Sequence, residues 1–92
     1  MILKFRHKGL RRLFEQDDPS GVKPDLSARL KRVLFLLDHI ERAEDINLPG
    51  YRLHPLKGDL AGFWSVTVSG NWRVIFQMDG ADVTQVDLVD YH

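Results

Sequence analysis

Two periodicities divide the chain. Leu26, Leu30, Val33, Leu34, Leu37 and Ile40 recur three or four residues apart, so a helix over Asp25–Arg42 gathers them on one stripe. Arg29, Lys31, Arg32, Asp38 and Glu41 fall mainly outside it. Pro24 suits a helix entrance, Asp25 suits an N-terminal cap or first-turn acid, and Pro49-Gly50 stops the helical region. Phe35 and Leu36, off the stripe, are read as a wider core. A shorter helix is expected over His7–Phe14, with Leu10, Leu13 and Phe14 at helical spacing and Arg11 and Arg12 outside. It ends at the loop Asp17-Asp18-Pro19-Ser20-Gly21.

The other periodicity is two. Leu3 and Phe5, flanked by Lys4 and Arg6, predict a short N-terminal strand. After Tyr51 the alternation takes over. Strands are expected at Tyr51–His54, Phe63–Val68, Trp72–Met78 and Val83–Val89, with a loop over Pro55–Gly62. Ser69-Gly70-Asn71 and Asp79-Gly80-Ala81 have the residues that tight hairpins need. Trp64, Val66 and Val68 share one face, as do Trp72, Val74, Phe76 and Met78, and both sets should cover the helical stripe. The order of a strand, two helices and an antiparallel meander predicts an α+β fold. Such a sheet, with helices on one face, leaves its other face open to a ligand.

Composition adds bounds rather than detail. The 92 residues suit one domain, and no repeat or low-complexity tract interrupts them. There is no cysteine, which excludes a disulfide, a thiolate metal site and a cysteine nucleophile. No apolar run is long enough for a membrane span, and Lys4 and Arg6 break up any signal-peptide core. A cytoplasmic location without membrane attachment is expected. The net charge is zero but uneven: ten Lys/Arg and six Asp/Glu up to Arg42, three and seven afterwards. The basic part can contact phosphates, and the acidic part can meet a basic partner.

Three places carry polar groups that a packed domain does not obviously need. They are His54-Pro55-Leu56-Lys57-Gly58 at a strand end, Arg73 between Trp72 and Val74, and the closing Asp90-Tyr91-His92. Neighbouring strands would let all three converge on the open face. This set suits RNA transesterification. Histidine titrates near pH 6.5 as a rough reference, so His54 and His92 can take or give a proton near neutrality. Lys57 and Arg73 can neutralise a phosphate, Asp90 can orient an imidazole, and Tyr91 can stack on a base or donate a hydrogen bond. No metal is required if these groups act together. Read singly, His54 is a half-buried strand histidine, Arg73 a partner for a carboxylate such as Asp87, and the C-terminus a frayed end. His7 and His39 are read as structural.

Taken together, these residues resemble the HigB toxins of the RelE superfamily. The resemblance is carried by Phe5-Arg6-His7-Lys8-Gly9-Leu10 with Leu13-Phe14, and by Tyr51-Arg52-Leu53-His54-Pro55-Leu56-Lys57-Gly58-Asp59. It continues through Gly62-Phe63-Trp64-Ser65-Val66-Thr67-Val68, Asn71-Trp72-Arg73 and Asp90-Tyr91-His92. The match is weakest between Gln16 and Gly50, and Ser69 and Gly70 stand where such toxins often carry a basic residue.

The resemblance implies a RelE-like compact α+β domain over residues 1–92. It implies a ribosome-dependent endonuclease that cuts mRNA in the decoding site of 16S rRNA, without a cofactor or metal. A HigA-type helix-turn-helix antitoxin is implied as partner, with operator DNA reached only through that complex. The family's catalytic positions match His54, Lys57, Arg73, Asp90, Tyr91 and His92. We assign His92 as base, with His54 assisting at the leaving group or phosphate. Lys4, Arg6, Lys8, Arg11, Arg12, Lys31 and Arg32 can form a ribosome-docking face. The competing readings are an inactive toxin-like module that binds an antitoxin or operator complex, and a metal hydrolase using His54, Asp90 and His92.

Overall fold

The structure is a computed structural model that describes residues 1–91; His92, one of the expected catalytic residues, lies outside the described residues. Helix α1 spans Lys8–Gln16, capped at its N-terminus by His7, whose Nδ1 accepts the Leu10 amide at 3.1 Å. Helix α2 spans Pro24–Leu37 and buries Leu26, Leu30, Val33, Leu34 and Leu37. Pro24 sits in its first turn and Asp25 is a first-turn acid, not the cap. The sheet order is β1 (His54–Pro55), β2 (Trp64–Ser69), β3 (Trp72–Asp79) and β4 (Asp82–Asp90), every pairing antiparallel. Both hairpins turn where expected, with Gly70 (φ 54°) and Gly80 (φ 61°) supplying left-handed backbone.

The helical stripe packs on one face of this sheet. Leu10, Leu13 and the α2 leucines and valine form a single cluster with Val66, Val68, Val74, Phe76, Val83 and Val86. Trp64, Trp72 and Met78 pack at its margin, as the alternation predicted. Helix α1 approaches the short 3₁₀ turn Pro19–Gly21 so closely that a Cβ on Gly9 would collide with the Gly21 carbonyl. Among the described residues no helix is long and apolar enough to cross a membrane.

Four expectations need correction. The N-terminal segment is not a strand: it touches β4 through isolated parallel bridges, Ile2 to Val83 and Phe5 to Val86. The cause lies in β4, where Gln85 adopts φ 56° and the pairing with β3 shifts register between Ile75 and Gln77. This bulge turns both Val83 and Val86 towards the helices, a three-residue step that no regular ladder can follow. Second, α2 ends at Leu37 rather than Arg42. The Asp45 carboxylate takes the Glu41 and Arg42 amides at 3.0 and 3.1 Å, and Asp38 takes the Ile2 amide at 3.0 Å. Those side chains redirect the backbone into the 3₁₀ turn Ala43–Ile46.

Third, the strand expected over Tyr51–His54 pairs only at His54 and Pro55, because Arg52 adopts φ 51° and breaks the extended run. Tyr51 still reaches the sheet, its carbonyl accepting the Thr67 amide at 2.7 Å. Fourth, Phe35 is 61% exposed and does not join the core, although Leu36 does pack against it. The Phe35 ring instead lies 4.5 Å from that of His39, whose Nδ1 meets the Phe35 carbonyl at 2.7 Å.

Candidate active site

The face of the sheet opposite the helices is partly covered. Leu56, Phe63 and Ile75 form a second small core there, with Leu60 and Val89 packed against it. The covering loop contains the 3₁₀ turn Gly58–Leu60, preceded by the exposed Lys57. Register defines what shares this face. His54 lies opposite Ser65, which lies opposite Ile75, which lies opposite Asp87; one step along, Thr67 lies opposite Arg73, which lies opposite Val89. His54 and Arg73 therefore face the same side, with Cα atoms about 12 Å apart by strand spacing and rise. That gap suits two long side chains gripping one phosphodiester from either end.

His54 is exposed on the edge strand, and its Nδ1 lies 3.0 Å from the Arg52 carbonyl. A carbonyl only accepts, so Nδ1 carries the proton and Nε2 is the free position of the ring. The left-handed turn at Arg52 aims that carbonyl back at the imidazole. Arg73 is held by its own hairpin: Nη1 donates to the Gly70 carbonyl at 2.8 Å and to the Trp72 carbonyl at 3.3 Å. It does not pair with Asp87. That carboxylate lies 4.0 Å from Nε of Arg6, whose guanidinium sits 5.5 Å over the Phe63 ring.

The C-terminal residues split between faces. Asp90 lies opposite Trp72, at a position that alternation assigns to the helix side with Leu88. Alternation carries the next residue, Tyr91, to the Arg73 side, where it is 47% exposed. Its amide donates to the Asn71 carbonyl at 2.7 Å. One face thus holds His54, Arg73 and Tyr91, with Lys57 on the loop above, while Asp90 occupies the rim on the other side.

Thr67 was not expected here. Its Oγ1 is buried beside Arg73 without a hydrogen-bond partner, the only such side-chain atom among the described residues. The polar alternation Ser65–Thr67, out of phase with Val66 and Val68, was the available signal.

The expected docking cations also divide. Arg6 pairs with Asp87, Arg12 with Asp18 and the Ser20 hydroxyl, and Lys31 with Asp17. Lys4, Lys8, Arg11 and Arg32 are exposed, and among the described residues no carboxylate pairs with them.

Known proteins are similar to this chain over most or all of its length. "Endoribonuclease HigB" of Proteus vulgaris is 42% identical over 92 residues, covering all of both chains. "Toxin HigB-1" of Vibrio cholerae serotype O1 is 35% identical over 83 residues, 87% of each chain. The fold is also that of the YoeB–YefM complex from Staphylococcus aureus, with a TM-score of 0.62 at 16% identity, covering 100% of this chain and 95% of that one. YafQ from E. coli strain BL21(DE3) gives 0.60 at 17% identity, covering 98% and 91%. Residues 3–92 match the family described as RelE-like toxin of type II toxin-antitoxin system HigB, and the chain belongs to that family.

Proposed function

We propose that this protein is an endoribonuclease toxin that cuts mRNA on the ribosome by metal-independent acid–base catalysis. The observation that carries the reading is His54 and Arg73 on one partly open sheet face, each fixed by a backbone carbonyl, with Tyr91 on the Arg73 side. Its activity class is supported by the relative named an endoribonuclease. In this mechanism His92 takes the proton of the RNA 2′-hydroxyl, whose oxygen then attacks the adjacent phosphorus. The phosphorus–O5′ bond breaks, and protonated His54 gives its Nε2 proton to the departing oxygen. The products are a 2′,3′-cyclic phosphate and a 5′-hydroxyl.

Lys57 and Arg73 hold the extra negative charge of the phosphorane, Tyr91 stacks on or hydrogen-bonds a base, and Asp90 assists His92 from the rim. A HigA-type antitoxin restrains the enzyme, and basic side chains dock it near the decoding site. The test is primer extension on mRNA in programmed ribosomes, comparing wild type, His92→Gln and a no-ribosome control. Ribosome-dependent cuts that vanish in His92→Gln are expected. Folded wild type that cuts nothing would leave an antitoxin-binding module instead.

A further inference from the structure

A cleft of about 420 Å³ lies away from the catalytic face, lined by Ala28, Arg29, Arg32, Pro49 and Tyr51. Arg29 and Arg32 stand three positions apart on α2, so their side chains project together from one helix surface. Small Ala28 and the turn at Pro49 complete the lining and leave room for an occupant. Neither arginine has a carboxylate partner among the described residues, whereas Arg6, Arg12 and Arg42 each have one. Tyr51 supplies the third wall. Its hydroxyl makes no hydrogen bond within the described residues, yet it is not among the buried unpartnered atoms, so it reaches solvent. Two guanidinium-bearing side chains without carboxylate partners among the described residues and the largely buried Tyr51 line one concave surface. The guanidinium groups can only donate and the phenol can donate, which together complement an oxyanion.

Location favours the phosphates of RNA over an acidic protein segment. Tyr51 is three residues before His54, at most about 11 Å along an extended chain. Exposed Arg52, also without a carboxylate partner among the described residues, lies between them. A strand crossing His54 can therefore continue into the cleft. We propose that Arg29, Arg32 and Tyr51 form a phosphodiester-binding site that grips RNA outside the catalytic face. This rests on the ribonuclease reading.

The test uses the full chain and two RNA probes: a short 2′-O-methylated single strand, which lacks the attacking hydroxyl, and small ribosomal subunits carrying no messenger. Affinity is measured against salt for wild type, Arg29→Gln/Arg32→Gln and a charge-matched control at cations outside the proposed docking face, Lys23→Gln/Arg42→Gln. The cleft variant should bind at least ~10-fold more weakly, and its slope of log affinity against log salt should fall by about 1.4 on the single strand. The control should lose less. Loss on the single strand identifies messenger as the source of the phosphates; loss on subunits alone identifies ribosomal RNA. Equal losses in cleft variant and control would mean a diffuse positive field and overturn the proposal. So would unchanged RNA binding, including the case where only an acidic protein partner is lost. If wild type binds RNA through the cleft yet never cleaves, the ribonuclease reading fails and the site stands.

Discussion

The Tyr91 amide donates to the Asn71 carbonyl at 2.7 Å, which ties the end of the chain to the β2–β3 hairpin. The neighbouring Gly70 carbonyl takes the Arg73 guanidinium at 2.8 Å. Successive carbonyls of one turn thus position both Arg73, the cation proposed to bind phosphate, and the segment that leads to His92. The turn thereby shapes the proposed active site through its backbone, although the Asn71 side chain does not enter the proposed chemistry.

Gly70 has φ 54°, where a β-branched residue is strained by about 1–3 kcal/mol. Gly70→Val should displace its carbonyl and slow ribosome-dependent cleavage at least ~10-fold, while Asn71→Ala, which keeps the backbone acceptor, should stay within about twofold. Cleavage rates from primer extension check this. Normal cutting by Gly70→Val would show that the turn does not set the geometry.

His54 is exposed and makes its side-chain hydrogen bond to the nearby Arg52 carbonyl. His54→Gln should therefore lower the single-turnover rate by roughly 10²–10⁴ while changing unfolding free energy by no more than about 0.5 kcal/mol. A variant that loses stability and activity together would point to a structural role.

Thr67 Oγ1 is buried with no partner among the described residues. Replacing the hydroxyl by a methyl in Thr67→Val should raise stability by about 1 kcal/mol, since an unmade buried hydrogen bond costs about 1–3 kcal/mol. Urea unfolding measures it. Destabilisation would mean that the hydroxyl has an acceptor in solution.

A Cβ at Gly9 would strike the Gly21 carbonyl. Gly9→Ala should cost about 1–3 kcal/mol through overpacking, despite alanine's better helix propensity. An unchanged urea midpoint would show that the Pro19–Gly21 turn moves aside freely.

Asp45 accepts the Glu41 and Arg42 amides, and these bonds, helped by the Arg42 charge, hold its carboxyl below the usual value of 3.8. The folded form binds its proton less readily than the unfolded chain. The resulting stabilisation is present above about pH 4 and is lost as pH falls through the lower folded value. Asp45→Asn should flatten the acid limb of stability, read from urea midpoints between about pH 3 and pH 6. An equally steep limb would assign it to other carboxylates, Asp18 first, whose carboxyl is also lowered through its hydrogen bonds to Ser20.

Local pattern was enough to determine the helical stripe, the hairpins and the faces of β2 and β3. Burial of Leu26, Leu30, Val33, Leu34 and Leu37 against Val66, Val68, Val74 and Phe76 follows directly from periods of 3.6 and two. The motifs around His54, Asn71 and Asp90 were equally legible, because residue type and order are properties of the chain itself. Tertiary structure decided what alternation could not carry across a break. A regular β4 with Val83 facing the helices would have put Asp90 on the Arg73 side; the left-handed Gln85 reverses the parity and carries it to the other rim. Likewise, Arg6 and not Arg73 meets Asp87, since only the folded N-terminus brings Arg6 across the sheet. A bulge and a long-range ion pair have no period, so they leave no signal in the order of residues.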